Sequence, residues 1–164
     1  MPFDMLPHIL KYFRAEKDAG FYIIVIGAAI IALSAWLWWS GNRYRAMAIP
    51  LLVIAIIEVV VGSSIYLRTD KQIDVLTEQY YTDRVAFERA ETPRMEKIMS
   101  AFRIYKIIEI VLLVAGFAMA IVFRKRPIYM RVGIGLMIQA AIQFGFDIVA
   151  AQRAQVYLDA VRRM

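Results

Sequence analysis

Three carboxylic acids sit inside stretches otherwise apolar enough to cross a bilayer. Glu58 lies in AMAIPLLVIAIIEVVVGSSIYLR (46–68), Glu109 follows Ile104, and Asp147 lies just before Ala150. An acid inside a membrane segment is costly, so it is read by default as a functional group facing a partner or a path. Two chemistries suit such groups. They can relay protons or cations, or they can hold helices in register through contacts worth ~0.5–2 kcal/mol each. Gln139, Gln143 and Asp147 recur every four residues, a stripe that drifts only about 40° per step on a 3.6-residue helix.

Arg68, Arg103 and Arg153 mark where the apolar stretches end, so Glu58 lies ten residues deep and Glu109 and Asp147 six. At the helical rise these depths are about 15 Å and about 9 Å, all in one half of a bilayer. The expectation is one intramembrane polar cluster of Glu58, Glu109, Asp147, Gln139 and Gln143, with Arg68, Arg103, Lys106 and Arg153 around its mouth. Glu58 has no base within a turn of it in its own stretch. It is expected either to meet Arg103 or Lys106 from another span or to hydrogen-bond Gln143.

Other chemistries find little support. There is no cysteine, and the single histidine, His8, stands beside Pro7 without companion ligands. No phosphate-cradling glycine loop, zinc-binding helix motif or nucleophile elbow is present. No catalytic residue, metal or cofactor is expected, and the chain is read as not an enzyme. The net charge of +6 fits basic flanks meeting lipid head groups rather than nucleic acid.

The elements that position the acids are helical. Of 164 residues 61% are hydrophobic, with a mean hydropathy of +0.56, well above the ~45–50% apolar content of ordinary soluble domains. The fold class read from this is all-α: an integral membrane four-helix bundle of two antiparallel transmembrane hairpins. Residues 1–18 form an interfacial N-terminal segment, and spans cover 20–39, 46–67, 104–123 and 128–150. A helical extramembrane arm occupies 68–103 and a C-terminal helical extension 151–164. Trp36, Trp38 and Trp39 close the first span as an interfacial aromatic belt. Within the arm, a break is expected near Tyr80–Asp83, and Thr92–Pro93 reads as the N-cap and first residue of a fresh helix.

The favoured function is protein–protein interaction in the bilayer, as an accessory subunit or a toxin-immunity-like blocker, with Tyr80, Tyr81 and Phe87 of the arm making contact. A homo-oligomer is the other form such a partner could take. The alternative is a proton- or cation-coupled conduit using the intramembrane carboxylates; a lipid-modifying enzyme ranks last. The expected location is a bacterial inner membrane, with the short basic turns 40–45 and 124–127 cytoplasmic because their cations crowd against span ends.

Overall fold

In the computed structural model, which describes residues 4–41 and 43–164, four long helices follow one another: α1 (Leu6–Trp39), α2 (Ala48–Thr82), α3 (Arg84–Val122) and α4 (Pro127–Val161). A single 3-10 turn, Arg45–Met47, leads into α2, and no strand occurs among the described residues. Each helix is long and apolar enough to cross a membrane. The 35 residues of α2 rise about 52 Å, against roughly 30 Å of hydrocarbon. Each helix therefore has an apolar part and a polar continuation.

Local signals set most helix ends. After α1, Gly41 takes φ 59°, the left-handed position that glycine occupies without a Cβ penalty. Pro127 opens α4 at a position where its missing N–H is no loss. Between α2 and α3, Asp83 is extended (φ −152°, ψ 98°) and its Oδ1 accepts from the Ala86 N–H at 3.0 Å, an N-cap bond. The expected break near Tyr80–Asp83 is thus present.

The expected start at Thr92–Pro93 is not. Pro93 lies inside α3, where it cannot donate to the Arg89 carbonyl. Phe87, Glu91 and Met95, spaced every four residues, are all buried. A break at Pro93 would disperse that stripe, and its burial outweighs the ~3 kcal/mol an interior proline costs.

The N-terminal segment 1–18 joins the helical packing. Met1–Phe3 lie outside the described residues, as does Asn42 in the turn 40–45. From Leu6 onward the segment is continuous with α1, and Ile9, Tyr12 and Phe13 are buried. They share one core cluster with Tyr80, Phe87 and Met95 and with Ala154, Tyr157, Leu158 and Val161 of α4. The polar continuations of all four helices close around this core, so residues 68–103 do not project alone.

In the apolar parts, small residues let backbones touch. Gly20 meets Gly62 and Gly27 meets Val59, so α1 and α2 run in opposite directions. Gly116 meets Gly133 between α3 and α4, where an added Cβ would come within 2.7 Å of the facing carbonyl. The two helix pairs meet where Gly135 of α4 packs on Met47 and Pro50.

Candidate functional site

A cavity of about 520 Å³ lies among the four helices. Its deep wall carries Glu58, Gln143 and Asp147, and its upper wall carries Glu16, Arg94 and Arg153. The exposed residues of its wall, Ile57, Val60, Val61, Ser64, Arg68 and Tyr105, all belong to α2 or α3. The cavity therefore opens sideways between those two helices, which touch at Tyr80 and Phe87 beside the Asp83 turn.

Glu58 is 4% exposed and Gln139 fully buried; the Gln139 amide donates to Glu58 Oε1 at 2.5 Å. The expected partners Gln143, Arg103 and Lys106 do not bond Glu58. Gln139 and Gln143 stand one turn apart on α4, and only the close approach of α4 to α2 selects Gln139. Asp147 meets Glu109, carboxyl to carboxyl. Glu109 Oε2 is buried and finds no N–H or O–H donor among the described residues. Lys106 is near enough for its charge to act on both acids.

The expected cluster is thus divided. Glu58, Gln143 and Asp147 line the cavity with Gln139 behind them, and Glu109 touches it through Asp147. The expected mouth is divided as well: Arg68 and Arg153 are on the cavity wall, whereas Arg103 and Lys106 face a separate groove on the outer side of α3 and α4. Arg103 and Lys106 share one face of α3, and spacing alone could not tell whether that face meets the neighbouring helices or the outer side.

The upper wall holds groups that spacing did not single out. Arg94 grips Glu91 in a two-pronged bond, Nε to Oε2 at 2.6 Å and a terminal nitrogen to Oε1 at 2.5 Å. The Tyr157 hydroxyl donates to Glu91 Oε1 at 2.9 Å, and Tyr12 stacks on Tyr157 with ring centres 4.6 Å apart. Burial and then Glu91 push the Tyr157 hydroxyl far above its usual range, so it remains a donor. Burial opposes the Arg94 charge, but the bonds from Glu91 outweigh it and raise its pKa. Below them Arg153 donates to the Ala15 carbonyl at 2.8 Å and stands 3.8 Å from Glu16. Burial raises the Glu16 pKa, while Arg153 and Arg68 pull it back. In the sequence, Glu91 and Arg94 look like any opposite charges on a solvated helix, because their burial depends on α4.

Of the three aromatics expected to meet a partner, Tyr80 and Phe87 are 1% and 0% exposed, and only Tyr81, at 64%, is open. The Tyr80 hydroxyl accepts from the Met5 N–H at 3.2 Å. These two residues are core.

Replacing Glu58 by Gln keeps an acceptor for the Gln139 amide and is expected to change unfolding free energy by under ~1 kcal/mol. Glu58→Leu leaves that amide bare and is expected to cost ~1–3 kcal/mol. Chemical unfolding of both variants in detergent measures the difference; equal losses would mean that the bond contributes nothing.

Comparison with protein-family models, with characterised proteins and with solved structures finds no match for this chain.

Proposed function

We propose that this chain is an integral membrane protein of four spans, two antiparallel hairpins with a helical part outside the bilayer, that acts by binding rather than by catalysis. The membrane reading is supported by four helices of sufficient length and apolarity and by Trp36, Trp38 and Trp39 exposed together at the end of α1. The binding reading is carried by one observation: a largely apolar cavity, holding a few polar and charged side chains, that opens sideways between α2 and α3. Its lower part would open toward hydrocarbon, where no water is available to satisfy Gln143, Asp147 and Ser64. An occupant bearing a cation and hydrogen-bond donors satisfies them. A basic side chain from a span of a partner protein is such a group, which makes the chain an accessory subunit or a blocker of another membrane protein.

Photo-crosslinking from position 64 in native membranes tests this. The expected product is an adduct heavier by the mass of a second polypeptide. A small-molecule mass increment would replace the partner with a ligand, and labelling no different from that at the outward-facing Val114 would refute occupancy altogether.

The second reading, a proton- or cation-coupled conduit, is favoured by the Glu109–Asp147 carboxyl contact beside the cavity. Against it, the packing of Gly135 on Met47 and Pro50 lies beyond Glu58 on the way to the other side. Flux in liposomes that vanishes with Glu58→Gln at unchanged stability would establish the conduit.

We further propose a bacterial inner membrane with the turns 40–45 and 124–127 in the cytoplasm. Arg43, Arg45, Arg124, Lys125, Arg126 and Arg131 crowd that end, and none forms an ion pair among the described residues, whereas Lys17, Arg94, Arg153 and Arg162 at the other end all do. With single cysteines at positions 40 and 82, an impermeant thiol reagent outside intact cells is expected to label position 82 alone. Labelling of position 40 instead would invert the topology.

A further inference from the structure

On the outer side of α3 and α4, away from the cavity between the helix pairs, lies an open groove of about 600 Å³. Ser100, Arg103 and Lys106 of α3 and Arg162, at the C-cap of α4, line its polar end, with one acid, Glu96. Of the residues that line the groove, three are cations and one is an acid. Arg162 is already held by Glu96 at 2.6 Å, but Arg103 and Lys106 form no ion pair among the described residues. From Lys106 the groove continues over Ile107 and Ile110, both about half exposed, into the apolar part of α3.

We propose that this groove binds an anionic membrane phospholipid. The phosphate sits between Arg103 and Lys106 within reach of the Ser100 hydroxyl, and an acyl chain lies along Ile107 and Ile110. Charge complementarity selects an anion, because Arg103, which forms no ion pair among the described residues, and Lys106, whose charge is shared with Glu109 and Asp147, face the same hollow. The geometry selects a lipid over a free phosphate. The cations stand where the apolar part of α3 begins, the height of a head group in a bilayer, and the wall below them offers only hydrocarbon. Lys106 also faces Glu109 and Asp147 from the groove side, so a bound phosphate gives that lysine a second anionic neighbour and leaves Arg103 as the main contact. The inference rests on the membrane reading but not on what fills the cavity.

The test reconstitutes the full chain into vesicles of equal parts phosphatidylglycerol and phosphatidylcholine, extracts it, and counts retained lipids by native mass spectrometry. Wild type is expected to retain phosphatidylglycerol over phosphatidylcholine. Each cation near a charged lipid surface is worth about a five-fold change in binding, so Arg103→Gln with Lys106→Gln is expected to weaken retention about thirty-fold. Arg103→Gln alone should weaken it about five-fold, and this variant serves if the double one does not fold. Arg43→Gln with Arg45→Gln removes the same charge at the opposite turn and is expected to leave retention unchanged. Equal retention of the two lipids, an equal loss in the opposite-turn variant, or displacement of the lipid by millimolar inorganic phosphate would each overturn the proposal. A chain that fails to enter vesicles at all would overturn the membrane reading with it.

Discussion

Arg94→Ala is expected to lower stability by ~3–5 kcal/mol, the range for breaking a buried ion pair from one side. The reason is what remains. The Glu91 side chain is 2% exposed, and without Arg94 its carboxylate keeps only the Tyr157 hydroxyl. Arg94 itself is 35% exposed, so its own loss from packing is the smaller part of the effect. A charge stranded in the core is relieved if it is removed as well, and Glu91→Gln combined with Arg94→Met should recover most of the loss. Denaturant unfolding of the single and double variants checks this. A double variant as unstable as Arg94→Ala would mean that the arginine contributes through packing on Phe13, whose ring lies 5.6 Å from the guanidinium, and not through charge.

Phe87→Ala is expected to cost ~3–5 kcal/mol, as for other fully buried phenylalanines. Its ring packs edge-on to Tyr80 at 5.7 Å within the cluster that joins the start of α1, the Asp83 turn and the end of α4. Tyr81→Ala, one position beyond Tyr80 but 64% exposed, should stay within ~0.5 kcal/mol. The pair separates two roles that look the same in sequence. If Phe87→Ala left stability intact while releasing a co-purifying protein, the aromatic seam would be a contact surface. If Tyr81→Ala alone released one, the contact would be confined to the single open ring. Because the cluster ties together three distant parts of the chain, the Phe87 loss should appear as one cooperative transition and not as fraying of the Asp83 turn.

What could be read without the structure follows from local physics. Apolar runs long enough to span ~30 Å of hydrocarbon must be helical, because only a helix satisfies every backbone group within its own segment. The apolar part of each of the four long helices, and the break near Tyr80–Asp83, were therefore legible. So was the placing of Glu58, Gln143 and Asp147 near one another, because their depth is a count along a helix. Contacts between helices were not legible. Gln139 and not Gln143 meets Glu58, Arg103 and Lys106 turn away from Arg68 and Arg153, and Phe87 and Tyr80 are core while Tyr81 is not. Each of these depends on which side of a helix its neighbours occupy, which is set by small-residue crossings such as Gly116 on Gly133. Pro93 is the clearest case: its local signal to begin a helix is outweighed by burial of Phe87, Glu91 and Met95 against residues far away in the chain. The Glu91–Arg94–Tyr157 network existed in sequence only as an unremarkable charge pair and a distant tyrosine. It took the packing of α4 against α3, across 66 residues of sequence between Tyr157 and Glu91, to bury the Glu91 carboxylate while Arg94 stays partly exposed.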